Sequence, residues 1–332
     1  MNVKHIFTTA AALALALTVG VTSGHAEDKS PVTLRAVGGA NMGGTWNVGL
    51  AGLGKLVNDR YPGSTFNILQ GSSSSNPLRL EANSGDITVT QSLNTYSALT
   101  GTAPYKKKME NLTSIANIQD ITRFHVICSK NLPVSSLDEL LEKKLPVKLD
   151  RGKPGQMQHE IGKRILAEYG LTYDDIEKWG GHVSGVSNND LVGLMQDGTI
   201  DIVFKVGAGE PSQLQEMVLS ADVKWLTISD KVLKSVAEKS GLGVGVLPAS
   251  FFGGAVGKDI PCLIDNSIII MRKGVSEEDA YKVTKSLVEG YKELSVIQPA
   301  WNTLDPKKMP FDMILPLHPG AEKYYREVGL MK

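Results

Sequence analysis

Residues 36–46 read Ala-Val-Gly-Gly-Ala-Asn-Met-Gly-Gly-Thr-Trp and join an apolar strand to an amphipathic helix. Four glycines within seven residues allow a sharp turn and a close approach of the backbone to a ligand, because no Cβ stands in the way. The helix is predicted by the three-to-four spacing of Val48, Leu50, Leu53, Leu56 and Val57. Its first turn points free N–H groups into the loop, which favours an anionic or strongly polar ligand group. A tight turn without a ligand is the alternative, because the loop matches neither glycine fingerprint of nucleotide-binding proteins.

The first residues predict export. Lys4 precedes the mostly apolar run 6–21, and Gly24-His25-Ala26 places small residues where a signal peptidase cuts. We therefore expect a signal peptide over residues 1–26 and a periplasmic protein. A membrane anchor is the alternative, but the apolar run is short for a bilayer span and is soon followed by the polar residues 27–30.

Composition argues against binding to nucleic acid and leaves the state of the two cysteines open. The chain carries 35 basic and 35 acidic residues, so bulk charge does not attract it to nucleic acid. About 306 residues would remain after the leader, which is enough for two domains with separate cores. Cys128 and Cys262 are predicted to form either one disulfide bond or two buried thiols. His125, His159 and His182 lack metal-ligand spacing, so we expect no metal and no cofactor.

Short apolar strands alternate with amphipathic helices, which predicts an α/β fold with mainly parallel sheets. The predicted strands are 32–37, 64–69, 86–90, 124–128, 147–149, 200–204 and 266–271. Asn76 before Pro77 predicts a helix N-cap, Ser136 with Glu139 predicts a capping box, and Ser276 is expected to cap a helix through Leu294. A helix is also expected over 158–169, and a polar segment closes the chain.

Two units of the chain have the same design. Asn76 precedes a short helix, Gly85 ends it, and the strand from Asp86 leads to Gln91. About 110 residues later, 188–190 cap another short helix, Gly198 ends it, and a strand leads to 205–207. Ligands of open α/β sheets lie at the carboxyl edge of such strands. We therefore predict two similar lobes that share a cleft and are joined by crossing strands that form a hinge.

Several motifs in the same order carry a resemblance to a known family. They are Gly43-Gly44-Thr45-Trp46, the pattern from Gly71-Ser72 through Asn76, 78–80 and 85–87 to Gln91-Ser92, the loop 208–211, and the tail 316–327. Over essentially the whole mature chain, the protein resembles a TAXI-group solute-binding protein of the tripartite ATP-independent periplasmic (TRAP) transporters. The resemblance implies a two-lobed type II periplasmic-binding-protein fold. It also implies a monomeric, non-enzymatic receptor that delivers a small solute to a TRAP membrane permease.

The resemblance also implies lobe limits and a ligand class. Lobe 1 is expected over 27–126 and 264–332, and lobe 2 over 127–263. The group is associated with glutamate-like and 2-oxo or dicarboxylic acids. Three departures bear on that ligand class: 156–158 replace a Ser-Gly-Thr loop, Asn47-Val48 replace an aromatic and a proline, and Asn41-Met42 precede the glycines.

Eleven residues are expected to bind the ligand: Asn41, Gly43, Gly44, Thr45, Trp46, Ser73, Asn76, Gln91, Gln156, Lys205 and Gly207. The loop would supply N–H groups and a hydroxyl, and Gln91 would pair with ligand oxygens. Lys205 is either a cation facing the cleft or an outward-facing surface lysine. Trp46 either covers the ligand or belongs to the core.

Two other functions stay open. A secreted hydrolase would use Ser73 or His159, although the sequence offers no convincing set of nucleophile, base and orienting group. A sensor subunit would pass ligand occupancy to a membrane partner without transport. We expect His318, within the tail motif, to support packing.

Overall fold

The computed structural model describes residues 28–40, 42–186 and 190–332. The predicted leader therefore lies outside the described residues, as do Asn41 and the predicted cap residues Asn188 and Asn189. The strands are β1 Thr33–Val37, β2 Thr65–Leu69, β3 Ile87–Gln91, β4 Leu112–Ser129, β5 Lys148–Asp150, β6 His182–Ser184, β7 Ile202–Ala208, β8 Val223–Trp225, β9 Gly243–Leu247 and β10 Ile260–Arg272.

Twelve α-helices connect and cover these strands within the described residues. They are α1 Thr45–Arg60, α2 Ser75–Glu81, α3 Ser92–Thr100, α4 Leu137–Glu142, α5 Met157–Glu168, α6 Tyr173–Lys178, α7 Leu191–Gln196, α8 Ser212–Ser220, α9 Asp230–Ser240, α10 Glu277–Glu289, α11 Tyr291–Ile297 and α12 Pro319–Glu327. None of the helices described is long and apolar enough to cross a lipid bilayer.

All strands belong to one mixed sheet with the order β2-β1-β3-β10-β4-β7-β5-β6, and β8 and β9 pair with β4 and β10 respectively. β1 pairs in parallel with β2 and β3, and β5 with β6 and β7. The pairs β3–β10, β10–β4 and β4–β7 are antiparallel. The prediction of mainly parallel sheets is therefore wrong at the centre, where two long strands run in opposite directions.

We call β4 and β10 together the hinge ribbon, because each runs from one lobe into the other. We use "first lobe" for β1–β3 with α1–α3 and α10–α12 on one side of this ribbon, and "second lobe" for β5–β9 with α4–α9 on the other side. The ribbon is paired from Leu112 opposite Arg272 to Ile264 opposite Arg123, with a shift of register after Asn266. Gln119 lies in the same region with a φ of 55°, a conformation that non-glycine residues rarely adopt. The ribbon is thus least regular where the lobes meet.

The first-lobe core packs α1 closely against its neighbours. A Cβ on Gly49 would lie 2.2 Å from the Trp301 ring, and a Cβ on Gly54 would lie 2.7 Å from Phe66. Glycine inside a helix costs about 1 kcal/mol relative to alanine. The close approach of the fully buried Trp301 and its apolar neighbours offsets that cost through buried area.

An ion cluster fixes the start of β3. Both carboxylate oxygens of Asp86 accept hydrogen bonds from the Arg35 guanidinium, at 2.9 and 2.8 Å, and Arg272 Nε donates to Oδ1 at 2.7 Å. The Gly85 position beside it leaves no room for a side chain, because a Cβ there would lie 2.5 Å from Val37. The motif therefore ties β1, β3 and β10 together.

The structure corrects several local predictions. Asn76 is not an N-cap, because α2 begins at Ser75 with Ser74 at the capping position. The helix from Ser276 does not continue to Leu294, since Gly290 separates α10 from α11. The predicted strands 124–128 and 266–271 are parts of β4 and β10. Ser136 caps α4 by accepting the Glu139 N–H at 3.1 Å, but the Glu139 carboxylate accepts the Ser135 N–H at 2.9 Å, so only half of the predicted capping box forms.

Two other outcomes concern the cysteines and the tail. Cys128 and Cys262 are both buried free thiols, so the disulfide alternative is wrong. The predicted polar tail contains α12, and His318 caps it by accepting the Gly320 N–H at 3.3 Å. The other ring nitrogen of His318 lies 3.2 Å from the Val275 carbonyl oxygen, which confirms a role in packing.

Candidate functional site

A cavity of about 380 Å³ lies between the two lobes, and we call it the inter-lobe cavity. The loop before α2, the end of β3 and helix α3 form its first-lobe wall, lined by Ser72, Ser73, Ser74, Gln91, Leu93, Asn94, Ser97, Ala103 and Pro104. The start of α5 forms its second-lobe wall, lined by Gly155, Met157, Glu160, Lys163 and Arg164. Residues from both lobes therefore enclose the same space.

A chain of hydrogen bonds orders the first-lobe wall. Asn94 Nδ2 donates to Ser73 Oγ at 2.5 Å, and Ser73 Oγ donates to Gln91 Oε1 at 2.8 Å. Gln91 Nε2 crosses to the other lobe, where it lies 3.9 Å from the Met157 sulfur. A thioether is a weak acceptor, so this amide can make a stronger hydrogen bond to a ligand oxygen. Ser73 and Gln91, two of the residues predicted to bind the ligand, thus line this cavity.

Ser97 gives this wall an uncommitted hydroxyl. It follows Leu93 and Asn94 by one turn of α3, so all three lie on one face of the helix. Ser97 is fully buried, and its Oγ has no hydrogen-bond partner among the described residues. An unpaired buried hydroxyl costs about 1–3 kcal/mol. A ligand in the cavity could remove that cost.

Helix α5 supplies the charges of the second-lobe wall. Glu160 and Arg164 are four residues apart and share a face, and Arg164 Nη1 donates to the Glu160 carbonyl at 3.2 Å. The Glu160 carboxylate lies 3.9 Å from Lys163 Nζ and 3.8 Å from Arg164 Nη1. Burial lowers the pKa of Arg164, although the group stays charged at neutral pH. Two cations and one anion among the described lining residues make this wall net positive.

The glycine-rich loop lies beside a different space. Gly44 is the N-cap residue of α1, and Gly44, Thr45 and Trp46 line a shallow cavity of about 210 Å³. Asn47 Oδ1 accepts the Gly39 N–H at 2.7 Å and so holds the loop against its own helix. A Cβ on Gly43 would have no neighbour within 4 Å, so that residue borders open space. The structure does not bring this loop to the inter-lobe cavity.

Asn76 is fully buried and bonds to backbone. Its Nδ2 donates to the Gly38 carbonyl at 3.0 Å and to the Val89 carbonyl at 3.1 Å, and its Oδ1 accepts the Ser72 N–H at 2.9 Å. It therefore joins β1, β3 and the serine loop. Asn76 does not line the inter-lobe cavity, so its described role is to position the residues that do.

Gln156, Lys205 and Gly207 also lie outside the lining. Gln156 Oε1 accepts the Lys153 N–H at 2.7 Å, and a Cβ on Gly207 would lie 2.1 Å from Pro211. Lys205 is only 7% exposed, so the outward-facing alternative is wrong. Burial lowers the pKa of Lys205, while the nearby Asp150 carboxylate opposes that shift.

Comparison with known proteins identifies the family. A family model described as the NMT1-like family matches residues 37–329. The chain belongs to the NMT1-like family. This match takes in both lobes and the hinge ribbon.

Solved structures share the fold of this NMT1-like protein. A Xanthomonas citri protein bound to ATP is 10% identical, with a TM-score of 0.52, and the match covers 89% of this chain and 96% of that one. The periplasmic aliphatic sulphonate binding protein SsuA of Escherichia coli is 14% identical, with a TM-score of 0.46 and coverage of 90% and 79%. MatC of Rhodopseudomonas palustris, solved with malate, is 12% identical, with a TM-score of 0.47 and coverage of 90% and 97%. The predicted two-lobed α/β fold is thereby confirmed.

Sequence reasoning missed five polar residues of the NMT1-like protein's cavity: Asn94, Ser97, Glu160, Lys163 and Arg164. The available signals were the spacing of polar residues along α3 and the i, i+4 pair of Glu160 and Arg164 on α5. Neither signal says which face of a helix meets the opposite lobe. The tertiary arrangement was needed for that.

The two side chains proposed for hydrolysis, Ser73 and His159, already contact other residues in this NMT1-like protein, and of the two only Ser73 lines the inter-lobe cavity. Ser73 Oγ is hydrogen-bonded to Gln91 and Asn94, neither of which is a general base. His159 does not line the cavity; its Nδ1 lies 2.7 Å from Arg151 Nη1, and its ring stacks on Tyr173 at 5.3 Å. Over residues 28–40, 42–186 and 190–332, no cluster of three or more His, Cys, Asp or Glu residues could hold a metal ion.

Proposed function

We propose that this protein is an exported, non-enzymatic receptor that captures a small carboxylate-bearing solute between its two lobes. The observation that carries the proposal is one cavity enclosed by both lobes, with cations on α5 facing neutral hydrogen-bonding groups around Gln91 and Ser97. A carboxylate would pair with Arg164 through charge-assisted hydrogen bonds. The rest of the solute would contact the first-lobe wall.

Capture follows from the position of the cavity. A solute that touches Gln91 on one lobe and Arg164 on the other binds the closed arrangement more tightly than an open one. Its binding energy therefore shifts the population toward closure. Micromolar affinity needs about 8 kcal/mol, which several charge-assisted hydrogen bonds in a largely enclosed site can supply.

We propose that closure bends the hinge ribbon. The proposed lobe limits are 27–126 with 264–332 for lobe 1, and 127–263 for lobe 2. The shift of register after Asn266 supports the limit near residue 264, from which it lies two residues away, and the positive φ of Gln119, seven residues before 126, adds a second irregularity to the ribbon. Irregular pairing of this kind can absorb a change of backbone angle.

The proposed partner is a membrane permease of the TRAP type, with the protein acting as a periplasmic monomer. The motifs at 43–46, 71–92, 208–211 and 316–327 support this assignment by their resemblance to the TAXI group. They also make a glutamate-like amino acid or a 2-oxo or dicarboxylic acid candidate solutes. SsuA is named as a sulphonate binding protein, and MatC was solved with bound malate. Both suggest that small anions in general are candidate solutes.

Ser73 and Gln91 remain the proposed ligand contacts among the residues chosen from sequence. The loop residues Asn41, Gly43, Gly44, Thr45 and Trp46 are proposed to form an outer boundary of the cleft. Gly44 at the N-cap and Thr45 and Trp46 in the first turn of the long helix α1 support that role, because the N–H groups of a first turn have no acceptor within the helix.

The proposal is tested by titrating the purified chain, residues 27–332, against a panel of carboxylic acids and amino acids by calorimetry. We expect one acid to bind and Arg164→Gln to weaken its affinity about 30-fold, because a charge-assisted hydrogen bond contributes about 2 kcal/mol. The matched control is Arg326→Gln on an exposed face of α12, which should leave affinity unchanged. Absence of binding by every small acid would contradict the proposal. So would turnover of a bound substrate that Ser73→Ala abolishes, as the hydrolase alternative requires.

A further inference from the structure

The second-lobe wall of the inter-lobe cavity is suited to a single negative charge. Its cations are Lys163 and Arg164, and Glu160 compensates one of them from 3.9 and 3.8 Å. His159 Nε2 lies 3.8 Å from the same carboxylate, and burial lowers the pKa of that imidazole, so it is neutral at pH 7. The lining side chains described here therefore leave a net charge of about +1. A ligand of charge −1 would balance it.

Glu160 is a poor site for a ligand ammonium group. The cationic side chains of Lys163 and Arg164 and the neutral imidazole of His159 already lie within 4 Å of its carboxylate. An added cation would meet Lys163 and Arg164 at short range, and like charges in a partly buried site repel strongly. The wall therefore favours a simple carboxylate over an amino acid zwitterion.

The first-lobe wall offers neutral groups that can donate and accept. The described lining residues there include four serines, Gln91 and Asn94, and none carries a formal charge. Among the described residues, the Ser97 hydroxyl is buried without a partner, and the contact given for the Gln91 amide nitrogen is a thioether at 3.9 Å. A ligand hydroxyl both donates and accepts, which matches a serine hydroxyl. A second ligand carboxylate would instead be buried without a cation on this wall, which is costly.

We propose that the solute is a hydroxylated monocarboxylate, such as a hydroxy acid or a sugar acid of charge −1. Its carboxylate binds Arg164, and its hydroxyl groups bind Ser97 and Gln91 across the cavity. This assignment rests on the proposed function and narrows its ligand class. The volume of about 380 Å³ lies near the lower end of small-molecule sites, about 300–1,000 Å³, and suits a solute of this size.

The test compares probes that vary the number of hydroxyl groups and the number and kind of charged groups. Lactate, glycerate and gluconate carry one charge and increasing numbers of hydroxyl groups, while hexanoate matches gluconate in carbon number without them. Malate adds a second carboxylate, and glutamate adds a carboxylate and an ammonium group. We expect at least one hydroxy acid to bind about 100-fold tighter than hexanoate, because a site built to hydrogen-bond hydroxyls rejects analogues that lack them.

Variants separate ligand recognition from structural effects. Ser97→Ala should weaken the best hydroxy acid about tenfold and leave the affinity for hexanoate unchanged, since hexanoate has no group for this hydroxyl. The matched control is Ser286→Ala on α10, which removes another fully buried hydroxyl without a partner among the described residues. Ser286 does not line the cavity, so its replacement should change neither affinity.

The outcomes distinguish this inference about the ligand from the proposed receptor function on which it rests. Tighter binding of glutamate or malate than of every hydroxy acid would overturn the inference and leave the receptor function standing. An equal loss of hydroxy acid and hexanoate binding in Ser97→Ala would also overturn it, because the hydroxyl would then act only on the structure of the site. Failure of every probe to bind would overturn both.

Discussion

Asp86→Asn tests whether the ion cluster at the start of β3 holds the first-lobe sheet together. The Asp86 side chain is 8% exposed, and its oxygens accept from the Arg35 N–H and guanidinium and from Arg272 Nε at 2.7–2.9 Å. The amide in Asp86→Asn would place an NH₂ group against guanidinium donors. At least one arginine would lose its acceptor.

The expected cost is about 3 kcal/mol in the free energy of unfolding. Breaking a buried ion pair by removing one partner costs about 3–5 kcal/mol. The Arg35 side chain is 43% exposed, so water can replace part of its lost contact and the lower end applies. Arg272, at 23% exposure, retains less access to water.

The pH dependence gives a second signature. Burial alone would raise the pKa of Asp86, but hydrogen bonds from Arg35 and Arg272 outweigh it and hold the pKa well below the usual 3.8. A depressed pKa stabilises the folded state above the unfolded value, and that stability is lost as pH falls through the folded value. The difference between wild type and Asp86→Asn should therefore be constant from about pH 5 to 8 and shrink below about pH 4.

Urea unfolding followed by circular dichroism measures both effects. The control is Asp59→Asn, which removes an exposed partner of Lys55 and should cost about 0.5 kcal/mol or less. A cost for Asp86→Asn no larger than that of the control would refute the reasoning. So would a difference that stays unchanged down to pH 3, since it would not depend on ionisation of the carboxylate.

Gly49→Ala should lower the free energy of unfolding by about 1–3 kcal/mol, because the added Cβ meets the Trp301 ring at 2.2 Å. Thermal unfolding measures this loss. The control is Gly193→Ala, whose added Cβ would have no neighbour within 4 Å. Burial raises the pKa of Asp265 to about 7, so the folded state is penalised increasingly as pH rises from about 4 to 7. Asp265→Asn removes that penalty, and urea unfolding should show its advantage over wild type growing by up to about 4 kcal/mol across this range. Burial also raises the thiol pKa of Cys128 and Cys262 to about 11 each, so an aromatic disulfide reagent should label neither in the native protein and both in guanidinium chloride.

Local sequence patterns predicted the elements whose causes are local. β1 and β2 are short apolar strands bounded by turn residues, and Ser136 caps α4 through a contact three residues away. The hinge ribbon was predicted only in fragments, because Gln119 and neighbouring polar residues interrupt its apolar pattern. Pairing with β10, almost 150 residues later, makes that stretch a strand. The antiparallel centre of the sheet depends on the same distant pairing.

The residues of the candidate site likewise divide into those that local sequence patterns predicted and those that depend on distant contacts. Ser73 and Gln91 were predicted because Ser73 lies in the loop after β2 and Gln91 ends β3, and the carboxyl edge of a sheet is a general location for ligands. The charged residues of α5 were missed because helical spacing defines faces without saying what each face meets. The environment of Lys205 depends on Asp150, which lies 55 residues away on another strand. A local sequence pattern could therefore not predict the burial of Lys205.

The place of β10 at the centre of the sheet imposes an order on folding. β3 pairs with β1 on one side and β10 on the other, so its second edge stays open until residues 267–271 have been made. Strands β4 to β8 pair with one another and can do so earlier, which favours nucleation there over contacts of greater separation, whereas β9 pairs with β10 and must also wait. Meanwhile β3, with the sequence Ile-Thr-Val-Thr-Gln, presents unpaired backbone groups that invite intermolecular association. A newly made chain would therefore need protection from aggregation for as long as its last quarter is missing.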